Sequence, residues 1–396
     1  MSEDSVQSDI EYLASELPHR AANTDEERAA AEYIQKRFSE RTPDVEISDF
    51  YSIDSVYFLF GSYYVEFCVV ALIASWFPRV ALCYGAAVFL AYLAEFSGYR
   101  VFSRFLPHFE TQNVTARFLA KRPKRLLVVS AYYDSPRETL LTTPRVLFHV
   151  HGLHQALLIC MLIVLLSCAT ESVALFEDMP IRVDRTIRWS AAGLLLSAGL
   201  VLFYNATRGE KVRGANGNAS GVAALLEIAR RLAQSPIDDA DIWLVATGSH
   251  ETWMSGMRHF VASHREMLDR DTTLFLNIEH VGGGDGLRYV TSEGILTPLE
   301  AAPELRSAAE AAAAPYAAEP ARLRGLPTDA SVPLARGYKA MTLTTLNSHG
   351  LRTDWRRTTD TVFRTDPARV KQAVGFAEAI MRRLAAEDVS PQAHEL

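Results

Sequence analysis

Two short pairs of polar residues lie at the ends of apolar segments of this sequence and could bind a metal ion. His250 and Glu251 follow the apolar run DIWLVATG, and Glu279 and His280 lie near the end of TLFLNIEHV. One imidazole and two carboxylates are enough to hold a single divalent metal. Adjacent residues on a strand point to opposite faces, however, so each pair is expected to contribute only one ligand. A site that binds one metal ion therefore remains the alternative to a site without metal.

Polar residues also occur inside long apolar segments. His149, His151 and His154 lie where one such segment begins, and in a helix His151 and His154 share a face. We interpret them as interfacial histidines, with metal or proton handling as the alternative. Glu66 lies near the middle of another segment, where a charge costs about 2.5–3.5 kcal/mol in a membrane. We therefore expect Glu66 to face the interior of a helix bundle or to be protonated. Its role is either in helix packing or in a functional polar contact.

The composition excludes several classes of protein. A hydrophobic fraction of 49% is too high for a disordered chain. The net charge of −7, with 40 Lys and Arg against 47 Asp and Glu, argues against a nucleic-acid partner. The four cysteines show no CxxC spacing, and no GxSxG nucleophile motif occurs in the sequence. The glycine-rich run HVGGGDG leads into a predicted strand, so we interpret it as a hairpin turn and not as a phosphate loop.

The apolar residues are concentrated in two regions, 56–98 and 146–205. Each region holds two segments of about 20 residues, long enough to cross a bilayer as helices. Buried core helices are the alternative interpretation. Four such segments in two pairs favour two transmembrane hairpins, with the lipid bilayer as a partner.

A hairpin returns the chain to the side from which it entered. The three polar portions, 1–55, 99–145 and 206–396, are therefore expected to lie on one side of the membrane. The beginning of the sequence, MSEDSVQSDI, is polar and has no apolar run typical of a secretory signal. We expect these portions in the cytoplasm, in agreement with the arginines and lysines that flank the apolar segments on that side.

Without the hairpins, the three polar portions are predicted to form one α/β domain. Thr24 and Glu27 have the spacing of a capping box before an alanine-rich helix, and GVAALLEIARRLA has the apolar spacing of an amphipathic helix. Short apolar strands such as RLLVVSAYY and DIWLVATG alternate with these helices. This alternation predicts a mostly parallel sheet with helices on both faces, interrupted by the two transmembrane hairpins.

Five motifs, in order along the chain, resemble those of the co-catalytic di-zinc aminopeptidases of peptidase family M28. They are VVSAYYDS, GANGNASGVA, GSHETWMSGMRHFV, FLNIEHVG and WRRTTDT. The family also includes glutaminyl cyclases and the ectodomain of the transferrin receptor. The resemblance implies an aminopeptidase-like fold over about residues 10–385, apart from the hairpins. It also implies a site with two zinc ions and a glutamate as general base.

Most of the metal and general-base positions that the resemblance implies carry other residue types here. Tyr132 stands at the first histidine ligand, Gly217 at the bridging aspartate and His250 at the general base. Glycine has no donor atom, and a neutral tyrosine binds zinc less well than an imidazole. The bridge between two metals is therefore missing from this sequence.

At the remaining positions, the resemblance puts Glu251 at an unchanged ligand, Glu279 at an aspartate ligand and Arg356 at the last histidine. An arginine stays protonated and offers no lone pair, so it can replace a metal cation but cannot bind one. We predict a direct ion pair between Glu251 and Arg356, with Arg356 also facing Glu279. Residues that match the family motif form a possible ligand cleft, namely Asp134, Asn216, Asn218 and Asp360 together with His280.

The sequence therefore predicts a membrane-anchored, catalytically degenerate pseudopeptidase that binds a peptide or protein partner and needs no cofactor. The alternative is a membrane-bound metallopeptidase with one zinc ion in a rearranged site. A glutaminyl-cyclase-like reaction is less well supported, because only Glu251 remains of the ligand positions that the resemblance assigns to it.

Overall fold

The computed structural model describes residues 5–143, 145–146, 149–173, 185–295, 297–323 and 326–387. Contacts divide the chain into two compact units. The first comprises Met1–Ser52, Phe109–Glu138 and Glu210–Leu396, and the second comprises Ile53–His108 and Thr139–Gly209. The polar segment 174–184, predicted to join the two halves of the second hairpin, lies outside the described residues.

The helices and strands are numbered in chain order through both units. The strands are β1 (Val45–Ile53), β2 (His108–Phe118), β3 (Arg125–Tyr132), β4 (Arg137–Glu138), β5 (Glu210–Lys211), β6 (Ala240–Thr247), β7 (Thr273–Ile278), β8 (Gly286–Glu293), β9 (Leu299–Glu300), β10 (Glu319–Arg322) and β11 (Lys339–Leu346). The helices are α1 (Ser5–Glu11), α2 (Asp25–Ser39), α3 (Val56–Ile73), α4 (Pro78–Phe96), α5 (Val150–Val173), α6 (Arg185–Arg208), α7 (Ser220–Gln234), α8 (Ser255–Ser263), α9 (Pro303–Ala312), α10 (Ser331–Leu334) and α11 (Pro367–Ala386).

A nine-stranded mixed sheet forms the centre of the first unit. Its order is β1-β2-β6-β3-β7-β11-β8-β10, with β9 paired to β8. The four central strands β6, β3, β7 and β11 are parallel to one another, whereas β2 and β8 join them in antiparallel orientation. The prediction of a mostly parallel sheet therefore holds for the four central strands, whereas the sheet as a whole is mixed. HVGGGDG leads into β8 as expected, but β11 lies between β7 and β8, so the hairpin interpretation is wrong.

Helices cover both faces of the sheet, as the apolar pattern of its strands requires. Leu127 and Val129 of β3 belong to a large core formed with α1, α2, α7, α9 and α11. Val128, between them, points to the other face and belongs to a second core with α8 and α10. Successive side chains of a strand alternate between faces, so a continuous apolar run such as RLLVVSA is buried on both.

The second unit contains α3, α4, α5 and α6, four helices that are long and apolar enough to cross a membrane. Helices α3 and α6 approach closely where two glycines face each other. A Cβ added to Gly199 would lie 3.0 Å from the carbonyl oxygen of Gly61. Small residues at such crossings let helix backbones pack tightly in a membrane.

Candidate functional site

The candidate site lies along one edge of the sheet, where its parallel central strands end. β3 ends at Tyr132, β6 at Thr247 and β7 at Ile278. Parallel neighbouring strands have their carboxyl ends at the same edge, so residues from distant parts of the chain meet there. The loops that follow these strand ends carry the predicted residues Asp134, His250, Glu251, Glu279 and His280.

Two buried carboxylates hold the turn that carries His250 and Glu251. Asp134 accepts hydrogen bonds from the backbone N–H groups of His250 at 2.8 Å and Glu251 at 2.9 Å. Glu27 accepts one from the N–H of Ser249 at 2.8 Å, and Ser249 has a left-handed φ of 51°. His250 and Glu251 therefore lie in a 3₁₀ turn beyond β6, and the expectation that they alternate as on a strand is wrong. Burial raises the pKa of both supporting carboxyls, Asp134 and Glu27.

Asp360 holds the loop that precedes α7. Its two carboxylate oxygens accept hydrogen bonds from the N–H groups of Asn216 at 2.7 Å and Gly217 at 2.9 Å. The side-chain oxygen of Asn216 in turn accepts from the N–H of Gly282 at 2.9 Å. Burial raises the pKa of Asp360 to about 7, against the opposing effect of the two N–H donors. Two of the predicted cleft residues, Asn216 and Asp360, thus support the loops.

Asn218 connects two strand ends and places His280 beside Gly217. Its side-chain oxygen accepts from the N–H of His280 at 2.9 Å, and its amide donates to the carbonyl of Tyr132 at 3.1 Å. A Cβ added to Gly217 would lie 2.5 Å from Nε2 of His280 and 3.3 Å from Oδ2 of Asp360. The His280 ring therefore occupies the space that a side chain at position 217 would need.

His250 is held between an aromatic ring and a carboxylate. Its ring stacks on that of Tyr132, with centroids 3.9 Å apart and planes 8° from parallel. Its Nδ1 lies 2.7 Å from Oδ1 of Asp329, and Oδ2 of the same carboxylate accepts a hydrogen bond from the hydroxyl of Thr247 at 2.6 Å. Burial by itself would lower the pKa of His250, but the charge and hydrogen bond of Asp329 outweigh it and raise that pKa to about 9. The imidazole is therefore protonated at neutral pH.

Two arginines lie against the carboxylates of Glu251 and Glu279. Nη2 of Arg356 lies 2.6 Å from Oε2 of Glu251, and Nη2 of Arg352 lies 2.5 Å from Oε1 of Glu279. Trp355, between them in sequence, has its ring 5.1 Å from the guanidinium carbon of Arg352 and 5.0 Å from that of Arg356. Guanidinium groups at these distances are attracted by the negative face of the indole ring.

The predicted ion pair between Glu251 and Arg356 is confirmed. A second arginine, Arg352, lies against Glu279, and sequence analysis did not single it out. Asp329 was missed as well, because nothing in the local sequence relates it to His250. The one available signal was charge, since two buried glutamates that face a single arginine still lack one countercharge.

The residues at this edge do not fit the two-zinc centre that the resemblance implies. Gly217 has no donor atom, and a side chain there would collide with His280. Arg356 has no lone pair to offer, and burial keeps Tyr132 protonated by raising its pKa well above the usual range. Among the described residues, no group of three or more His, Cys, Asp or Glu side chains is arranged to hold a metal ion.

Comparison with known proteins supports the resemblance for about half of the chain. Residues 200–380 match the model of peptidase family M28. This range contains four of the five motifs and both arginine–carboxylate pairs. No curated protein sequence matches the chain.

Solved structures with a similar fold cover nearly the whole chain. A zinc aminopeptidase from Bacillus subtilis is 14% identical, with a TM-score of 0.56 over 96% of this chain and 94% of that one. LapB from Legionella pneumophila is 10% identical, with a TM-score of 0.54 over 98% and 73%. A glutaminyl cyclase from Bacteroides thetaiotaomicron is 14% identical, with a TM-score of 0.54 over 96% and 97%. The first unit therefore has an aminopeptidase-like α/β fold with a large central sheet.

The predicted polar residues of the apolar segments lie in the second unit. His149 precedes α5, and His154, within α5, stacks on Phe96 with ring centroids 4.8 Å apart. His151 is half-buried one turn before His154. Glu66 is half-buried on α3 and accepts a hydrogen bond from a tyrosine of α4. These contacts do not bring the three histidines and Glu66 into one site.

Glu95, at the end of α4, has a carboxylate that is held by several donors and that sequence analysis passed over. Its carboxylate is buried and accepts hydrogen bonds from the O–H groups of Tyr63 and Ser103. The backbone N–H groups of Val101, Phe102 and Ser103 donate to it as well. Five donors satisfy this carboxylate and fix the chain as it leaves α4.

Proposed function

We propose that this protein is a membrane-anchored, aminopeptidase-like protein that does not hydrolyse peptides and acts by binding a peptide or protein partner. The observation that carries this proposal is the pairing of both remaining carboxylates with arginines. Glu251 and Glu279 stand at positions that hold metal in the family resemblance, and here Arg356 and Arg352 lie against them at 2.6 and 2.5 Å. A guanidinium at hydrogen-bond distance supplies the positive charge that a metal would otherwise bring.

The residue at the general-base position also supports a non-catalytic role. A general base must have a free lone pair near neutral pH. His250 has a pKa of about 9, and Asp329 occupies its Nδ1 side. At neutral pH its imidazolium has no lone pair with which to activate water.

A binding role agrees with the exposed side chains next to the site. Phe363 follows the loop that contains Asp360 and is fully exposed. Aromatic side chains are enriched at protein interfaces, so Phe363, three residues after Asp360, offers an apolar contact to a peptide or protein partner.

The outer surfaces of the second unit support anchoring in a bilayer. Leu90, Ile159, Leu194 and Leu200 are each more than half exposed on helices that are long enough to span a membrane. Trp76, between α3 and α4, is also exposed, at a position where aromatic side chains favour the membrane–water boundary. We assign the first unit to the cytoplasmic side, as the even number of spans and the flanking arginines suggest.

Metal analysis and a peptidase assay of the same detergent-purified full chain test the proposal. We expect a zinc content near zero after incubation with zinc and removal of the free metal, and no hydrolysis of aminoacyl reporter substrates. About one zinc per chain, with turnover that disappears in Glu251→Ala, would instead establish the alternative of a rearranged one-metal peptidase. That outcome would assign the metal to ligands among His250, Glu251, Glu279 and His280.

Topology needs a separate experiment. Reporter fusions at residue 180 and at the C-terminus are expected to report opposite sides of the membrane, with the C-terminus in the cytoplasm. Reporters on the same side would contradict the two-hairpin arrangement, whatever the metal content of the protein.

A further inference from the structure

Contacts between aromatic rings show that the four long apolar helices have one common end. Phe58, in the first turn of α3, lies against Phe203, near the end of α6, with ring centroids 5.3 Å apart. Phe96, the last residue of α4, stacks on His154, near the beginning of α5, at 4.8 Å. Phe60 of α3 joins these two pairs through its contact with Phe96 at 5.8 Å. The beginnings of α3 and α5 and the ends of α4 and α6 therefore lie together.

This common end carries an excess of exposed positive charge. Four arginines are exposed on it, namely Arg100, Arg104, Arg145 and Arg208. Asp54, just before α3, is the one exposed acidic side chain in the described part of this end. The carboxylate of Glu95 is buried and its five hydrogen-bond donors already satisfy it. The exposed charge at this end is therefore predominantly cationic.

The segment that follows α4 presents two of these arginines on a fixed turn. Three successive backbone N–H groups donate to the buried carboxylate of Glu95, those of Val101, Phe102 and Ser103. The middle of the segment is thus held inward, while the side chains on either side of it are exposed. We name these exposed side chains, Tyr99, Arg100, Arg104 and Phe105, the arginine turn. Its two aromatic side chains are 71% and 82% exposed.

The groups of the arginine turn match those that bind a phosphate at a membrane surface. A guanidinium forms two parallel hydrogen bonds with a phosphate, and it stays charged at any relevant pH. Within the described part of the chain, the side chain of Arg104 has no ion pair. Aromatic side chains such as Tyr99 and Phe105 favour the boundary between lipid and water. A turn at the end of an apolar helix would place all four side chains at that boundary.

We propose that the arginine turn binds the headgroup phosphate of an anionic phospholipid. The proposal rests on the membrane anchoring proposed above, because the end of α4 lies at headgroup level only in a bilayer. It goes beyond anchoring, since apolar helices accept lipid chains of any kind, whereas the arginine turn distinguishes headgroups by charge. The ammonium group of a zwitterionic lipid offsets the charge of its phosphate. The cytoplasmic leaflet, on the side to which we assign the first unit, is the one rich in anionic lipid.

Equilibrium lipid binding to the immobilised full chain tests the proposal. The chain is held in micelles of a neutral detergent at low salt, and radiolabelled phosphatidylglycerol or phosphatidylcholine is titrated in. We expect a lower dissociation constant for phosphatidylglycerol. Arg100→Gln and Arg104→Gln should each reduce this preference about fivefold, because each removes one cation next to the phosphate. Higher salt should reduce the preference as well, since the turn is exposed and its charges are screened.

An arginine of the first unit provides the matched control. Arg265 lies between α8 and β7 and is exposed, so Arg265→Gln removes the same charge from a different surface. We expect the lipid preference of this variant to equal that of the parent chain. The thermal unfolding of every variant in the same detergent serves as the folding control.

Four results would overturn the proposal. They are equal affinity for the two lipids, an unchanged preference in folded Arg104→Gln and Arg100→Gln, an equal loss in Arg265→Gln, and release of phosphatidylglycerol by inorganic phosphate but not by sodium chloride of the same ionic strength. The last result would assign the turn to free phosphate. Alkaline carbonate extraction separates these failures from a failure of the membrane proposal. A chain that stays in the membrane without a lipid preference refutes only the headgroup site, whereas a chain released from the membrane refutes the anchoring itself.

Discussion

Replacing Arg356 by methionine removes the guanidinium that neutralises Glu251 and keeps much of the aliphatic side chain. Both partners are largely buried, with side-chain exposures of 8% for Arg356 and 14% for Glu251. The opposite change, Glu251→Gln, keeps the shape of the glutamate and removes its charge. Each single variant therefore leaves one charge in the protein interior without its counter-ion.

The structure sets the magnitude of the effect. Removing one partner of a buried ion pair costs about 3–5 kcal/mol in the free energy of unfolding. Arg356→Met also loses the contact of the guanidinium with Trp355 at 5.0 Å, a further cost of about 0.5–2 kcal/mol. We therefore expect Arg356→Met to be more destabilising than Glu251→Gln. The double variant should cost less than the sum of the two, by about 2 kcal/mol.

The next residue along the chain provides a matched control. Arg357 pairs with Glu138 at 3.1 Å, but both side chains are more exposed, at 33% and 23%. Arg357→Met should cost only about 0–1 kcal/mol, because water solvates the remaining carboxylate. The assay is denaturant-induced unfolding of the detergent-purified full chain, followed by tryptophan fluorescence for all four variants. Equal costs for Arg356→Met and Arg357→Met, or additive single effects, would refute the replacement of a metal by a buried arginine.

Three further predictions concern other contacts. Gly217→Ala should destabilise the protein by about 1–3 kcal/mol, because the new Cβ meets His280, and His280→Ala should relieve this cost in a double variant. Equal thermal unfolding temperatures for Gly217→Ala and the parent protein would contradict this prediction. The stabilisation from His250 should be complete below pH 6.5 and lost as the pH rises towards 9, since Asp329 outweighs burial and raises the pKa of His250 to about 9. The free energy of unfolding from denaturant titrations should fall by up to roughly 3 kcal/mol over that range, with a smaller slope in Asp329→Asn, and a rise with pH would disprove the assignment. Glu95→Gln should lower the free energy of unfolding by about 1.5–3 kcal/mol, because it weakens charge-assisted hydrogen bonds. Limited proteolysis within residues 97–107 should become faster, and an unchanged cleavage rate would argue against the role of Glu95 in fixing this segment.

The sequence by itself determined the features that depend on local composition. Continuous apolar runs predicted the central strands, because a strand buried on both faces has no polar side to show. The four long apolar segments appear as the four helices of the second unit, since an apolar run of about 20 residues has the length of a membrane-spanning helix. Motif spacing also located Glu251 and Arg356, whose charges left an ion pair as the simplest solution for two buried groups.

Only the tertiary structure decided which distant residues meet. His250 and Asp329 are 79 positions apart, and Arg352 meets Glu279 from a loop that follows β11. No local pattern relates such residues, because their proximity depends on the order of strands in the sheet. The turn at Ser249 likewise depends on Asp134 and Glu27, which come from β3's end and from α2. The contact between Glu66 and Tyr84 was likewise decided by how α3 and α4 pack, since an evenly apolar helix shows no preferred face in its sequence.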